Sequence, residues 1–537
     1  MMGFDTALNV PPQFEGSRDA GLSFLFDIVD SAGSRLEGPS STARDELLAR
    51  TAEWRPTGER PADLVGRECA CSPPVWHLRK LLDLVGGPGQ SHLGAIRAQR
   101  LYHARWLGHL LAPDQAVFRP LVTVLIPAFN RAAILVEAIE SCLAQTWKPL
   151  EVLVVDDGST EDLAAALERF GDTIRVERQP NGGVSSARNT GIRLAKGDLV
   201  HLLDSDNLLL PTAVSRKIDA FARFPDAGLC YSLAELQGEP TADTPQIAPP
   251  NGSANCPTVS LLAGGLRCPF YVSCVMLPRF TLLASGGFEE DLRRGEDSRF
   301  WVKLALRDTK VIGLDAKLTV RRLSRDSLSA QPMPPALHLA ITARTTADCL
   351  AYPPAWPLAS RGFQGLLHLA RNGDDLSQLE SMPERDVSRL VTEIRALGTK
   401  DDNHGMSPLP LLAHLRHLTR HALASSRDAG REKAALLRRL HAAIDAAALG
   451  AAPLAPADVV FWANAVTTRS GEGRLNSFFR RVGRLLENDP SMLPAADELL
   501  RHTSVIPRKR PLKAYARMRR WMLPRPIVLW IALRKAS

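Results

Sequence analysis

Polar residues with the chemistry of a nucleotide site follow three short apolar runs in the middle of the chain. They come in pairs: Asn130 and Arg131 after the run at 122–129, Asp156 and Asp157 after EVLVV (151–155), and Asp204 and Asp206 after the run at 198–203. Two carboxylates one residue apart can hold a hard divalent cation against a diphosphate. These residue types therefore indicate a site for a nucleoside diphosphate with Mg²⁺ or Mn²⁺.

The elements around these residues must bring them to one place. Apolar runs rich in β-branched residues predict strands buried on both faces, and helical periodicity lies between them, as in Ile134, Ala138, Ile139, Cys142 and Leu143. Further helices are expected at about 161–170 and from Ser185, with a strand at 173–178. The alternation predicts an α/β fold with a mostly parallel sheet, in which ligands bind outside the carboxyl ends of the strands.

The rest of the chain predicts more sheet and then many helices. Strands are expected at 227–236, 269–278, 310–314 and 318–323, a helix at 211–224, a long loop at 237–258, and a helix from about Asp297. Helical patterns occupy 75–111, with a break at 86–89, and also 338–349, 387–397, 408–424, 431–449 and 458–465. The predicted domains are a helical accessory region (1–118), a catalytic domain (119–332), a helical domain (333–500) and a basic tail (501–537).

Composition narrows the class of protein. A chain of 537 residues with 45% hydrophobic residues is expected to form two to four domains with large cores. Its eight cysteines predict reduced thiols, with Cys142 and Cys230 in the core, and Cys69 and Cys71 are weak evidence for a metal. His77, His92, His103 and His109 lack metal-ligand spacing and are expected to be solvated or capping. With neither a signal peptide nor an apolar run of about 18–20 residues, we expect a cytoplasmic protein, soluble or peripheral.

Five segments together resemble the nucleotide-sugar glycosyltransferases of family 2, which have a GT-A fold. They are VTVLIPAFNR (122–131), EVLVVDDGST (151–160), NGGVSSARNTGI (181–192), GDLVHLLDSDN (197–207) and GGFEEDLRRGED (286–297). Each motif is weak by itself, but their order and spacing are specific, and the resemblance covers about residues 120–325. It implies transfer of a sugar from a nucleoside-diphosphate sugar to an acceptor hydroxyl.

The resemblance assigns donor and metal roles to individual residues. Asp204-Ser205-Asp206 matches the DxD signature, with Asp206 as the direct metal ligand and Asp204 contacting metal or ribose. Asp157 matches the acceptor of a nucleobase hydrogen bond, while Asp156 supports its loop. The match places Pro127, Phe129 and Arg131 against base and ribose. Arg188 and Asn189 match the donor-binding SARN segment; a buried ion pair with an aspartate is the alternative for Arg188.

Glu296 and Asp297 match the catalytic ED pair of the family. The resemblance implies that Asp297 is the general base that takes the acceptor proton and that Glu296 places the acceptor or the loop. The alternative is an acidic first turn of a helix, which the helix dipole favours. One position departs from the family: Ser324 stands where many relatives carry a histidine, so the third metal ligand is in doubt. Arg321, Arg322 or Arg325 could bind the diphosphate instead.

The formal charge of +8 comes from the end of the chain. Residues 507–537 hold ten Lys and Arg and no acid, so the remainder carries −2. Together with Trp521 and Trp530, these charges suit the anionic inner leaflet of a cell membrane, and a solvated terminal helix is the equal alternative. We find no support for a nucleic-acid partner.

The predicted function is an inverting glycosyltransferase that uses Mg²⁺ or Mn²⁺. By family habit its acceptor is a glycan or a lipid-linked intermediate in bacterial surface polysaccharide synthesis. A nucleotidyltransferase would need a glycine-rich, lysine-bearing loop after the first strand, and IPAFNR (126–131) lacks both. The remaining alternative is a non-catalytic relative that binds sugar nucleotide or serves as a scaffold.

Overall fold

The structure is a computed structural model of the chain. It describes residues 20–30, 38–55, 72–85, 93–238, 259–260, 270–323, 333–352, 383–398, 408–424 and 431–450, with four short pairs between 355 and 367. The chain divides into two compact units, 1–332 and 333–537. The predicted helix at 458–465, most of the loop at 237–258, Ser324, Arg325 and the basic tail lie outside the described residues.

Within the described residues, the first unit contains a nine-stranded mixed sheet. Its strands run in the spatial order β3-β2-β1-β4-β8-β6-β9-β5, and β7 also pairs with β9. The bounds are β1 Val122–Ala128, β2 Leu150–Asp156, β3 Arg175–Arg178, β4 Leu199–Leu202, β5 Leu208–Leu209, β6 Ala227–Gln237, β7 Val259–Ser260, β8 Val275–Pro278 and β9 Lys310–Arg322.

The parallel half of the sheet brings the predicted site residues to one edge. β1 pairs in parallel with both β2 and β4, and β2 with β3. Ala128 is level with Asp156, and Leu125 is level with Leu202, two residues before Asp204. Every residue of β1 is buried, as expected of a strand covered on both faces. The other half is mixed, because β8 runs antiparallel to both β4 and β6 while β6 and β9 are parallel.

In the part of the first unit that the structure describes, four α-helices precede the sheet, and six more lie between its strands. Their bounds are α1 Ala20–Asp30, α2 Ser41–Glu53, α3 Pro73–Val85, α4 Leu93–Leu111, α5 Ala132–Leu143, α6 Leu163–Leu167, α7 Val184–Leu194, α8 Ala213–Arg223, α9 Arg279–Ala284 and α10 Glu296–Ala305. Two hydrophobic clusters include opposite sides of β1: Val122, Val124 and Ile126 belong to one, and Leu125 to the other. Cys142 and Cys230 are buried free thiols, as predicted.

Two strand predictions need correction. The run at 269–278 is a strand only from Val275, because Val272–Cys274 forms a 3-10 turn. The runs at 310–314 and 318–323 belong to one long strand, β9, whose pairing with β6 shifts register near Leu233. The register shift absorbs the polar residues between the two apolar runs without ending the strand.

Helix α4 joins the predicted accessory region to the sheet. Arg105 Nη1 forms a buried ion pair with Asp198 Oδ2 at 2.7 Å, and the same oxygen accepts a hydrogen bond from Leu121 N at 2.9 Å. Tyr102 and Trp106 of α4 belong to the same hydrophobic cluster as β1 and β2. Helix α4 therefore completes this core, and it also shares a separate hydrophobic cluster with α1, α2 and α3.

The histidine prediction was wrong for two of the four residues. His77 on α3 and His103 on α4 are 0% and 3% exposed, and their Nδ1 atoms lie 2.9 Å apart. Trp106 stacks on His77 with 5.9 Å between ring centroids. Neighbouring rings such as those of Tyr102 and Trp106 bury both histidines at the contact between the two helices. The spacing of the histidines in the sequence does not indicate this burial.

The second unit, in its described part, is helical. Its longer helices are α11 Pro335–Ala351, α12 Glu384–Ala396, α13 Leu409–Ala424 and α14 Arg431–Gly450. α12 packs on α11 through Arg344 and Asp386, which form a buried ion pair at 2.9 Å. Four of the predicted C-terminal helices are thus present at nearly the predicted bounds.

Candidate functional site

Asp204 lies just beyond the carboxyl end of β4 and is held from two sides. Its Oδ1 accepts a hydrogen bond from Arg188 Nη2 at 2.8 Å, and its Oδ2 accepts one from Ser273 Oγ at 3.0 Å. Its side chain remains 35% exposed. The carboxylate is therefore oriented by the protein and is still accessible from outside.

Arg188 on α7 links Asp204 to the predicted catalytic pair. Its second terminal nitrogen, Nη1, donates to Glu296 Oε1 at 2.9 Å, and the guanidinium lies 5.1 Å from the ring centre of Phe288. The side chain is 5% exposed. Burial opposes the charge, but Asp204 and Glu296 outweigh it and raise the Arg188 pKa. The ion-pair alternative is what the structure contains, and it brings together residues 16 and 108 positions from Arg188.

Asp206, the predicted metal ligand, is held less firmly. Its Oδ2 lies 3.3 Å from Arg131 Nη1, and the two side chains are 27% and 43% exposed. Burial and then the charge of Asp204 raise the Asp206 pKa, while Arg131 and Arg321 oppose the rise. The two carboxylates thus repel each other across an accessible space, which suits a hard cation with oxygen ligands.

Glu296 and Asp297 begin helix α10, after Gly295 in the left-handed conformation. Asp297 Oδ1 accepts from Ser298 N at 2.6 Å, and its side chain is half-buried. Burial raises the Glu296 pKa; Arg188 opposes this rise and Asp297 adds to it. The pair thus forms the acidic first turn of a helix, and Glu296 is also connected to the strand-end cluster through Arg188. This position is compatible with both interpretations of the pair, an acidic helix start and a catalytic site.

Asp156 and Asp157 both accept hydrogen bonds from neighbouring loops of the protein. Asp156 Oδ1 accepts from Ser159 N at 2.9 Å, which supports the loop as expected. Asp157 is buried and accepts from Gln179 Nε2, Gly182 N and Gly183 N at 2.7–2.9 Å. One Oδ2 lone pair remains for the predicted nucleobase bond, so the main contact of Asp157 is with the loop that leads into α7.

Asn189 holds the loop that leads to the predicted catalytic pair. Its Nδ2 donates to Phe288 O at 2.9 Å and to Glu290 Oε1 at 2.8 Å, and its Oδ1 accepts from Phe288 N at 2.8 Å. The side-chain amide uses both its donor and its acceptor ends on that loop. The structure therefore places Asn189 against the loop. Its contact with the sugar-nucleotide donor stays a prediction.

The remaining predicted residues line the edge of β1 and the turn after β4. Pro127 is buried within β1, whereas Phe129 is 47% exposed just after it. Asn130 and Arg131 both have positive φ, and Asn130 Oδ1 accepts from Thr160 N at 2.9 Å and Glu161 N at 3.2 Å. Ser205 is half-buried between the two aspartates.

Two arginines considered for the diphosphate lie at the end of β9. Arg321 lies over the Tyr271 ring, 4.1 Å from its centre. Its positive charge opposes the rise of the Asp206 pKa. Arg322 pairs with Glu137 of α5. Among the described residues, no group of three or more His, Cys, Asp or Glu side chains is arranged around a common metal position.

Ser273 was missed by sequence reasoning. It lies on the 3-10 turn at Val272–Cys274, inside a run whose apolar character predicted a plain strand. The available signal was a pair of small polar or thiol residues, Ser273 and Cys274, interrupting an apolar run, since a buried hydroxyl needs a partner.

Comparison with known proteins identifies the family of the central segment. Residues 123–281 match the family model described as Glycosyl transferase family 2. This match confirms the predicted resemblance, and the α/β sheet with flanking helices confirms the predicted fold class. Glu296 and Asp297 lie beyond the matched range.

Individual relatives match stretches of different length. An uncharacterized glycosyltransferase of Rickettsia prowazekii (strain Madrid E) is 28% identical over 190 residues, which are 35% of this chain and 60% of that protein. A chondroitin synthase of Escherichia coli is 43% identical over 107 residues, 19% of this chain and 16% of that protein. The chain thus spans less than two thirds of each of these relatives. A crystal structure of S. aureus TarS 1–349 in complex with UDP-GlcNAc aligns with 61% of this chain and 92% of its own, with 18% identity and a TM-score of 0.40.

Proposed function

We propose that this protein transfers a sugar from a nucleoside-diphosphate sugar to an acceptor hydroxyl, with inversion at the anomeric carbon. The donor would bind at the carboxyl ends of β1, β2 and β4, where Phe129, Arg131, Asp157 and Asp204 lie. The family match of residues 123–281 supports the class of reaction.

One observation carries the proposal. Arg188 joins Asp204, of the donor-side motif, to Glu296, of the predicted acceptor-side pair, at 2.8 and 2.9 Å. The two motifs are distant in sequence, and the ED pair is outside the matched range. Their direct connection through one buried side chain is what a transferase needs, because donor and acceptor must meet within bonding distance.

Asp297 is the proposed general base. As the acceptor oxygen forms its bond to the anomeric carbon, the hydroxyl proton passes to the Asp297 carboxylate and the carbon–oxygen bond to the diphosphate breaks. Asp297 lies in the first turn of α10, directly after Glu296. In this scheme Glu296 holds Arg188 and does not contact the reacting atoms.

Asp206 and Asp204 are the residues that would hold Mg²⁺ or Mn²⁺. When bound, the cation neutralises the charge that builds on the departing diphosphate. Exposed carboxylate oxygens from two residues fit this ion, and water and diphosphate oxygens would complete its coordination.

The acceptor is proposed to be a glycan or lipid-linked intermediate of polysaccharide synthesis. The names of two relatives, chondroitin synthase and hyaluronan synthase, support this class. Among the described residues no helix has the length and hydropathy to cross a membrane. Where the acceptor is lipid-linked, contact with an inner leaflet is proposed to be made by the Lys and Arg residues of the basic tail.

The test is the thermal stability of the purified protein with UDP, GDP, dTDP or CMP, each with and without Mn²⁺. A ligand that binds the folded state raises the melting temperature, so one nucleotide should give a Mn²⁺-dependent rise. Asp206→Ala should lose that rise, whereas Asp172→Ala, at an exposed carboxylate, should keep it. No rise with any nucleotide would contradict the proposed function and favour a scaffold role.

A further inference from the structure

The hydroxyl of Ser273 makes three hydrogen bonds to the turn that carries the DxD motif. It accepts from Asp204 N at 3.1 Å and from Asn207 Nδ2 at 2.9 Å, and it donates to Asp204 Oδ2 at 3.0 Å. A serine hydroxyl has one hydrogen and two lone pairs, so this set uses its full capacity. The hydroxyl therefore has one orientation, which is fixed by the turn that it holds.

Ser273 is itself anchored from the opposite side. Its residue is 1% exposed, and its backbone carbonyl accepts a hydrogen bond from Thr319 Oγ1 of β9 at 3.1 Å. Asn207 extends the connection, because its Oδ1 accepts from Arg322 N at 3.1 Å. The turn from Asp204 to Asn207 is thus tied to the 3-10 turn at Val272–Cys274 and to β9 by buried side chains.

The two aspartates of the motif consequently differ in freedom. Asp204 has one hydrogen bond on each oxygen, from Arg188 and from Ser273, so its side-chain rotamer is set in the ligand-free protein. The Asp206 carboxylate has a longer, half-exposed contact with Arg131, at 3.3 Å. A cation that needs both carboxylates meets one that is already placed and one that must still adjust.

We propose that Ser273 is a positioning residue for the metal site, which holds Asp204 in the conformation that binds the cation. This inference rests on the proposed function, since it assumes a cation at Asp204 and Asp206. Hydrogen-bond partners of metal ligands typically change metal affinity by about 10- to 100-fold when they are removed.

The experiment titrates Mn²⁺ into the full chain in the presence of whichever of UDP, GDP, dTDP or CMP stabilises the wild type, and follows the melting temperature. Ser273→Ala should raise the Mn²⁺ concentration at half-maximal stabilisation by roughly tenfold. Ser273→Thr, which keeps a hydroxyl, should restore much of the wild-type value. A purely structural role would lower the melting temperature without ligand and leave the half-saturating Mn²⁺ concentration unchanged.

Two further variants keep the result decisive. Ser141→Ala is the matched control, because that hydroxyl also accepts from a backbone amide, but it donates to the carbonyl of Ala138 and does not contact Asp204. If Ser273→Ala does not fold, Ser273→Cys preserves the volume with a weaker hydrogen-bonding group and should give the same direction of change. Unchanged half-saturation in a folded Ala or Cys variant overturns the positioning role alone, whereas a wild type that responds to no nucleotide overturns the proposed function as well.

Discussion

Asp297 and Glu296 are neighbours in sequence with different surroundings. Glu296 is bound to the buried Arg188, whereas the carboxylate of Asp297 accepts from the backbone amide of Ser298. This difference separates a residue available to a substrate proton from a residue that holds the site together. It favours Asp297 as the base. Two adjacent acidic residues in a sequence do not reveal this difference in hydrogen-bond partners.

Replacing Asp297 tests that division. Asp297→Asn should lower kcat by about 10²- to 10⁴-fold, because the amide cannot accept the acceptor proton. The nucleotide-dependent rise in melting temperature should stay at the wild-type value. Asp291→Asn, on the same loop, serves as the control and should retain turnover. Wild-type turnover in Asp297→Asn would remove Asp297 from the base role.

At the scale of single residues, the sequence predicted the types and the neighbourhood better than the partners. Asp156, Asp204, Asp206 and Glu296 lie near the predicted strand-end site because strand ends and register follow from apolar runs. The choice of Gly182 and Gly183 as partners of Asp157 could not be predicted, because it depends on how a loop 25 residues away folds back. The hydrogen bonds of Ser273 to Asp204 could not be predicted for the same reason, because the two residues are 69 positions apart.

At the scale of elements, the loop between α9 and α10 depends on the close approach of Gly287 to Asn189. Gly286 and Gly287 both have positive φ, but a Cβ on Gly287 would lie 2.3 Å from Asn189 Oδ1, while a Cβ on Gly286 would meet no atom within 4 Å. The two glycines therefore separate backbone strain from a steric clash with the side chain that clamps the loop.

Alanine at these positions should give unequal losses. Gly286→Ala should lower the free energy of unfolding by about 1–2 kcal/mol through backbone strain. Gly287→Ala should lower it by roughly a further 1–3 kcal/mol, since the Asn189 hydrogen bonds must also break, and should reduce turnover by displacing Glu296 and Asp297. Urea unfolding and steady-state rates of both variants provide the measurement. Equal losses would show that Asn189 moves aside freely.

The contact of α3 with α4 makes stability depend on pH. Burial, and then the charge of Lys80, lower the pKa of His103 to about 3, and burial with the charge of His103 lowers that of His77. Both rings are neutral in the folded protein at neutral pH, while the unfolded chain binds protons near pH 6.5. Their contribution is therefore complete above about pH 6.5 and is lost as the pH falls toward about 3.

Acid unfolding measures this contribution. Between pH 6 and pH 4 the free energy of unfolding of the first unit should fall by about 1.4 kcal/mol per pH unit for each buried histidine. His103→Gln, which keeps a polar side chain without titrating, should reduce the slope. His338→Gln, at an exposed position on α11, should leave it unchanged. Tryptophan fluorescence is a suitable probe because Trp106 stacks on His77. Equal slopes in wild type and His103→Gln would contradict the assignment.

Element predictions succeeded where periodicity was long and failed where polar residues interrupted an apolar run. The helices α5, α7 and α8 and the strands β1, β2 and β4 were expected close to their observed bounds. The 3-10 turn at Val272–Cys274 and the continuity of β9 were missed, because both are decided by pairing with distant strands. The mixed character of the second half of the sheet has the same origin, since strand direction depends on connections.

At the scale of the whole molecule, the basic tail is expected to bind anionic membranes. The full chain should sediment with vesicles that contain phosphatidylserine and much less with neutral vesicles, because each Lys or Arg near such a surface contributes about 1 kcal/mol. Replacing Arg517, Arg519 and Arg520 together with glutamate should abolish this binding and spare nucleotide binding. Equal sedimentation with and without the replacements would favour the alternative of a helix packed within the protein.

The ion pair between Arg105 and Asp198 limits how this catalytic segment can be exchanged in evolution. The family match begins at residue 123. The buried carboxylate of Asp198, just before β4, is nevertheless paired with Arg105, which lies before the matched segment on α4. A recombination event that joined residues 119–332 to a foreign leader would leave Asp198 unpaired, at a cost of about 3–5 kcal/mol. The structural module is therefore longer than the segment that matches the family, and proteins that keep this sheet should keep its preceding helix with it.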